Sequence, residues 1–353
     1  FIKGRMVFLW YRSRRLRIEK KGDSMRTKYI DLHMHLDGAI TAETAMELAE
    51  VQGISLPAKT EKELEKLISV PEGCASLNDF LRCFELPLSL LQTKEGIRRA
   101  VRLVLEEQKR EGVIYAEIRF SPQLHTRKGL SQEEVLRAAL EGLQDAPIPA
   151  NLILACMRGA DNQKENEENL ELARRFLTKD GGVTAVDLAG AEALFPTRDY
   201  LKLFRRAGEY GIPMTIHAGE ADGEDSVRAA LEMGAVRIGH GVRARKNPEI
   251  LEEIRSKGIT LEMCPTSNRY TRSIENMKDY PLLMYLEKGI RVTVNTDDPA
   301  IEGTTISREF RFLKEHFGLT SEQEQAILRN AAEAAFTSDE RKHSLYKNIC
   351  EIS

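Results

Sequence analysis

Cysteine is sparse and dispersed in this chain: Cys74, Cys83, Cys156, Cys264 and Cys350 make an odd number with no CxxC spacing. That argues against a disulfide framework and fits reduced thiols in a cytoplasm. Charge of one sign is also lacking, since the formal net charge is −3 with 30% charged residues. There is no global basic excess to recruit nucleic acid, and no apolar run is long enough to cross a membrane. Neither is expected as a partner, and no partner protein is indicated. No GxGxxG follows the first strand-like run, which weakens a nucleotide-binding doubly wound sheet.

The first 24 residues do not match the rest: they are strongly basic, and their apolar run, Val7 to Trp10, has four residues. That is too short for the core of a secretory signal. Lys-Gly-Asp-Ser before Met25 reads as a translated ribosome-binding sequence. Residues 1–24 are therefore expected to be a non-native or disordered extension, Met25 the natural start, and 25–353 one domain.

What is present is alternation. Strand-like runs rich in Ile, Val, Leu or Thr occur at Lys28–His35, Val113–Phe120, Asn151–Met157, Val183–Leu188, Pro213–His217, Val236–His240, Ile259–Met263 and Arg291–Asn295. Between them lie amphipathic stretches, among them Glu95–Glu111, Glu134–Leu143, Asn166–Thr178, Thr197–Tyr210 and Asp225–Met233. Strand then helix, repeated along the chain, predicts an α/β fold of the (β/α)₈ TIM-barrel type. A doubly wound sheet is the structural alternative. The segment from Leu36 to Gly112 is longer than one connecting helix needs. Within it Leu77, Phe80, Leu81 and Phe84 repeat at helical spacing, with Ser76 and Asp79 able to cap the start. The expectation is a helical lid over the barrel mouth, with ordinary core packing as the alternative. Ser307–Phe317 and Ser321–Phe336 read as closing helices.

Histidines and carboxylates gather at the strand ends. The first strand ends DLHMHLDG, and residues i and i+2 share a face, so His33 and His35 can grip one metal ion. Asp37 follows on that face, with helix capping as its plainer role. The fifth strand gives TIHAGE, with His217 at its end and Glu220 just beyond. The sixth gives IGHG, with His240 between glycines that leave room for a ligand. The eighth ends NTDDP, and the adjacent carboxylates of Asp297 and Asp298 are costly to crowd together unless a cation shares them. Their joint arrival at one end of a barrel predicts a mononuclear site with three histidines, one aspartate and an open position for water. Nitrogen and oxygen ligands favour zinc, which lowers the pKa of bound water to about 7. Glu220 and His240 remain as candidates for proton handling. The chemistry read from these residues is metal-assisted hydrolytic attack on an unsaturated carbon.

In order and at fitting intervals, HMHLDGAI, SLNDFLRCF, VDLAGAE, HAGE, RIGHG, CPTSN and TDDP resemble the adenosine deaminase family of the metal-dependent amidohydrolase superfamily. The resemblance runs from about Met25 to the final helices. It implies one Zn²⁺ per chain held by His33, His35, His217 and Asp297. It implies Glu220 as the acid that protonates the purine ring nitrogen beside the attacked carbon. His240 would orient or deprotonate the attacking water, with Asp297 helping to hold it. Asp298 would meet the imidazole side of the purine, the Gly190 N–H the pyrimidine side, and Asp37 a ribose hydroxyl. His35, Leu77, Phe80, Leu81 and Phe84 would border the substrate. The implied reaction is hydrolytic deamination of adenosine, and of deoxyadenosine, in purine salvage. CPTSN is closer to bacterial purine-deaminase relatives than to the animal enzymes. Adenine-specific members typically carry glutamate where this chain has Asp37, so aspartate favours a nucleoside. VDLAG carries no metal-bridging lysine, so one metal is expected. The zinc deaminases with H-x-E and P-C-x-x-C are a separate class, and neither motif occurs. The alternatives are another aminopurine (adenine, methylthioadenosine or aminofutalosine) or a catalytically silent nucleoside-binding protein, which the complete ligand set with Glu220 argues against.

Overall fold

Strands of a parallel sheet covered on both faces are buried along their length, and the eight strands of this chain are buried at nearly every position. The computed structural model describes residues 27–71 and 82–350. The expectations for residues 1–24 and for Ser76, Leu77, Asp79, Phe80 and Leu81 lie outside the described residues.

In chain order the elements begin with β1 (Tyr29–His35), α1 (Ala42–Gln52), α2 (Glu61–Ile68), α3 (Glu85–Leu90) and α4 (Lys94–Arg110). Four strand–helix units follow: β2 (Val113–Phe120) with α5 (Gln132–Gln144), β3 (Ala150–Met157) with α6 (Gln163–Phe176), β4 (Val183–Ala189) with α7 (Leu201–Glu209), and β5 (Thr215–Ala218) with α8 (Glu224–Met233). Then come β6 (Arg237–His240) with α9 (Pro248–Ser256), and β7 (Thr260–Met263) with α10 (Pro265–Tyr270) and α11 (Leu282–Glu287). β8 (Arg291–Val294) leads into α12 (Pro299–Glu302), α13 (Ile306–Phe317), α14 (Ser321–Ala334) and α15 (Asp339–Cys350).

All ladders are parallel, in two four-stranded runs ordered β1-β2-β3-β4 and β5-β6-β7-β8. Backbone bonds join these runs at both seams. The His35 N–H donates to the Asp297 carbonyl (2.9 Å), and the Asp297 N–H donates to the His33 carbonyl (2.8 Å). On the other side the Val186 N–H donates to the Pro213 carbonyl (3.0 Å), beside a Val186–Met214 bridge. The strands thus form one barrel of the expected (β/α)₈ type.

Helices pack outside on apolar stripes. On α4, Ile97, Ala100, Val101, Val104 and Leu105 are buried at i, i+3, i+4, i+7 and i+8. Capping boxes start α5 (Ser131 with Glu134) and α14 (Thr320 with Gln323).

Three local differences from the sequence reading stand out. The stretch Thr197–Tyr210 is not one helix: a 3₁₀ turn over Thr197–Tyr200 precedes α7. The long insertion contains α1 and α2 as well as α3 and α4. Phe84 stands in a turn at the start of α3 and is half-buried against the core.

The barrel interior is polar where apolar layers are usual. Arg119 donates to Asp187 Oδ2 (2.8 Å) and Glu262 Oε2 (2.8 Å), and all three side chains are fully buried. Arg237 pairs with Glu117 (2.7 Å) and Glu262 (2.5 Å). Burying such charges is tolerable because each has an opposite partner and further hydrogen bonds.

Candidate active site

The end of β1 presents His33 and His35 on one face, as the two-residue period requires. β5 brings His217 to them, and the seam between β8 and β1 brings Asp297. His217 Nε2 lies 3.1 Å from His33 Nε2 and 3.3 Å from His35 Nε2. Asp297 Oδ1 lies 3.3 Å from both His33 Nε2 and His35 Nε2. Four donors set tetrahedrally around an ion at bond lengths of about 2.0–2.1 Å stand about 3.3 Å apart, so the cluster has the size a zinc-like cation needs.

The protonation pattern makes the same point. His33 Nδ1 donates to Glu262 (2.7 Å) and His217 Nδ1 donates to Asp187 (2.9 Å). With their protons fixed on Nδ1, both rings turn Nε2 lone pairs toward each other. Two buried lone pairs at 3.1 Å repel unless a cation lies between them. Burial holds His217 down to about 3 against the pull of Asp187, which keeps that ring neutral and able to ligate. Burial would raise Asp187, but the His217 ring and the Arg119 guanidinium hold its carboxyl below the usual range. His35 goes the other way. Burial opposes its charge, yet the hydrogen bond to Asp297 and the charge of that carboxylate lift it to about 9, so a metal binding there would release a proton.

Across the cluster sit the two other groups that the sequence singled out. His240 Nε2 is 3.6 Å from Glu220 Oε2 and 3.7 Å from Asp297 Oδ2. Burial, then the charges of Asp297 and Glu192, raises Glu220 to about 8, so this carboxyl holds a proton at neutral pH. The Asn268 amide lies 3.0 Å from His240 Nδ1, and the Tyr280 hydroxyl donates to Asn268 Oδ1 at 3.0 Å. That orientation turns the Asn268 NH₂ toward Nδ1 and leaves the neutral ring's proton on Nε2, facing the site. His240 (φ 63°) and Asp297 (φ 62°) both adopt the left-handed backbone region that non-glycine residues rarely occupy. Strain of this kind concentrates where a side chain has to be aimed.

Asp298 follows Asp297 and is buried, with Oδ1 lacking a hydrogen-bond partner among the described residues. Burial and the neighbouring Asp297 charge push its carboxyl well above the ordinary range. It rests over Gly38, where a Cβ would stand 1.8 Å from Asp298 Oδ1, so glycine is needed for this carboxyl to occupy its position. Asp37 is buried just past β1, and Gly190 follows β4 at φ 101°, both at the same end of the barrel. Of the apolar stripe assigned to the substrate, Phe84 alone is described.

Asp187, Glu262, Arg119 and Asn268, which orient the rings, were not identified from the sequence. For the first three the signal was a charged residue inside a buried strand, and for Asn268 an amide residue within α10. In isolation each reads like any surface residue.

The sequence model of the adenosine deaminase family matches residues 29–352. An adenosine deaminase of Haemophilus ducreyi is 46% identical over 326 residues, covering 91% of this chain and 95% of that one. An adenosine deaminase of Clostridium botulinum strain Okra is 39% identical, covering 92% of this chain and 97% of that one. Among solved structures, an adenine deaminase from Arthrobacter aurescens superposes with a TM-score of 0.81 at 28% identity, covering 92% of this chain and 99% of that one. With the family match spanning nearly all described residues and both relatives aligned almost end to end, this chain belongs to the adenosine deaminase family.

Proposed function

We propose that this protein deaminates adenosine and deoxyadenosine hydrolytically, releasing ammonia and leaving inosine or deoxyinosine, with one zinc ion per chain. The observation that carries this reading is the meeting at one barrel end of a four-donor cluster and the Glu220 carboxyl, with His240 between them. The relatives named adenosine deaminase support the substrate.

His33, His35, His217 and Asp297 would hold the zinc, a choice favoured by their nitrogen and oxygen donors. Zinc, when bound, acidifies a coordinated water to a pKa of about 7 and so makes hydroxide available at neutral pH. His240 Nε2–H and Asp297 Oδ2, 3.7 Å apart, bracket the attacking oxygen and orient it. Glu220 gives its proton to the ring nitrogen beside the amino-bearing carbon. The ring is thereby made electrophilic as the new C–O bond forms. The C–N bond then breaks as the newly added hydroxyl becomes the carbonyl, its proton passing to the departing amine, which leaves as ammonia. An imidazole-side nitrogen of purine accepts hydrogen bonds, and an Asp298 carboxyl that keeps its proton can donate one. Gly190 offers its N–H to the pyrimidine side, and Asp37 meets a ribose hydroxyl. His35 and Phe84 border the substrate. None of the described helices is long and apolar enough to cross a membrane. The buried free thiols of Cys156 and Cys264 fit a cytoplasmic enzyme.

Ammonia release from adenosine, deoxyadenosine, adenine and methylthioadenosine, with a chelated control, tests this reading. Metal-dependent turnover of the two nucleosides above the free base is expected. Preference for adenine overturns the substrate, and silence on all four overturns the reaction.

A further inference from the structure

Glu192, in the loop after β4, is 2% exposed and carries a carboxylate that meets neither the metal cluster nor any substrate group assigned above. It is instead filled by the loop that carries Glu220. Its Oε1 accepts the Gly219 N–H at 2.6 Å. Its Oε2 accepts the N–H groups of Glu220 (3.0 Å), Ala221 (2.6 Å) and Asp222 (3.0 Å). The Ser226 hydroxyl, on the first turn of α8, adds a fifth donor. Four consecutive peptide N–H groups converging on one anion form a backbone nest of the kind that elsewhere binds phosphate. Here the anion is the chain's own side chain.

The clamp is anchored from behind. Arg158 donates to the His217 carbonyl (2.6 Å), to Thr197 Oγ1 (2.9 Å) and to the Phe195 carbonyl (2.9 Å). Thr197 Oγ1 in turn lies 2.5 Å from Ser226 Oγ. Gly219 sits at φ +72°, where a Cβ would also meet Val227 Cγ2 at 2.6 Å, so the turn out of β5 is built for this one path.

We propose that Glu192 is the positioning residue for Glu220, holding the peptide units on both sides of it so that its carboxyl is delivered to one place. This rests on the reading of Glu220 as the acid. Charge-assisted bonds to N–H groups are about twice as strong as neutral ones, so the clamp depends on the ionised carboxylate as well as on its shape. The nearby negative charge also favours the protonated form of Glu220.

The test is E192Q, which keeps the shape but turns an NH₂ toward N–H donors, measured in both the wild-type and the E220Q backgrounds. In the wild-type background kcat should fall on the order of 10²-fold, as expected of a reacting group displaced by about 1 Å. KM for adenosine and metal content should change little. Amide hydrogen exchange at residues 219–222 should quicken about tenfold or more as the clamp opens. In the E220Q background E192Q should cost almost nothing further, because the group it positions is already gone. Equal losses in both backgrounds, or unchanged exchange at those amides, would overturn the proposal. Full activity of E220Q alone would instead defeat the acid assignment, leaving exchange to decide the clamp. Should E192Q fold poorly, S226A removes one donor only, and its smaller loss in kcat should likewise vanish beside E220Q.

Discussion

Adding one methyl group at Gly38 should disable substrate recognition while leaving the metal ligands in place. The glycine follows β1, and its carbonyl accepts the Ala300 N–H at 2.9 Å, so its backbone is stapled to α12 and has little freedom to withdraw. A Cβ there would lie 1.8 Å from Asp298 Oδ1, 2.6 Å from Cγ and 2.8 Å from Cβ. The carboxyl of Asp298 must retreat by more than about 1 Å, which in a reacting complex can cost 10²-fold. Loss of one buried hydrogen bond to substrate corresponds to about 1–3 kcal/mol, or roughly 5- to 150-fold in kcat/KM. Steady-state kinetics of G38A on adenosine, with metal analysis of the same samples, measure this directly. The loss should fall on kcat/KM with metal retained, and D298A in the G38A background should cost much less than D298A alone. Wild-type kcat/KM in G38A would show that the position of the Asp298 carboxyl does not matter to substrate recognition. Metal loss in G38A would show that Asp297 had moved instead.

Other perturbations probe the remaining parts. E220Q should keep its metal and lose most turnover; in the wild type kcat should fall as pH rises through about 8, because the acid is deprotonated there, and E220Q should lack that alkaline limb. H217A should lose both metal and activity, with metal analysis as the check. D187N should weaken metal affinity about 10- to 100-fold, read by competition with a chelator, because the His217 ring loses the carboxylate that orients it. E262Q should destabilise the fold by about 3–5 kcal/mol in denaturant titration, since Arg119 and Arg237 would share a buried site that has lost a charge.

The barrel was legible because parallel strands bury both faces, so their Ile, Val and Leu runs stand out between amphipathic helices. The expected Val113–Phe120 matches β2, six other strands shift by one residue at one end, and β5 shifts by two residues at its start and one at its end. The cluster of His33, His35, His217 and Asp297 was legible because its members sit where apolar runs end. What stayed hidden was the charge inside those runs. Glu117 and Arg119 in β2, Arg237 in β6 and Glu262 in β7 point into one another across the barrel, and only their mutual pairing makes burial tolerable. Which charges pair is a property of the closed barrel and of no local window. Glu192 was concealed similarly: VDLAGAE drew notice as a motif, but the nest it fills comes from the next strand's loop. The split at Tyr200 was missed because a 3₁₀ turn and α7 share a face, so their apolar spacing reads as one helix.

On the proposed reading one metal ion, held by His33, His35, His217 and Asp297, is required for adenosine deamination. Chelator-stripped protein should be titrated with zinc while ammonia release from adenosine is followed. Activity should rise from near zero and level off at about one equivalent per chain, the stoichiometry of a single four-ligand site. Full turnover in the stripped protein, or a plateau reached only at two equivalents, would contradict it.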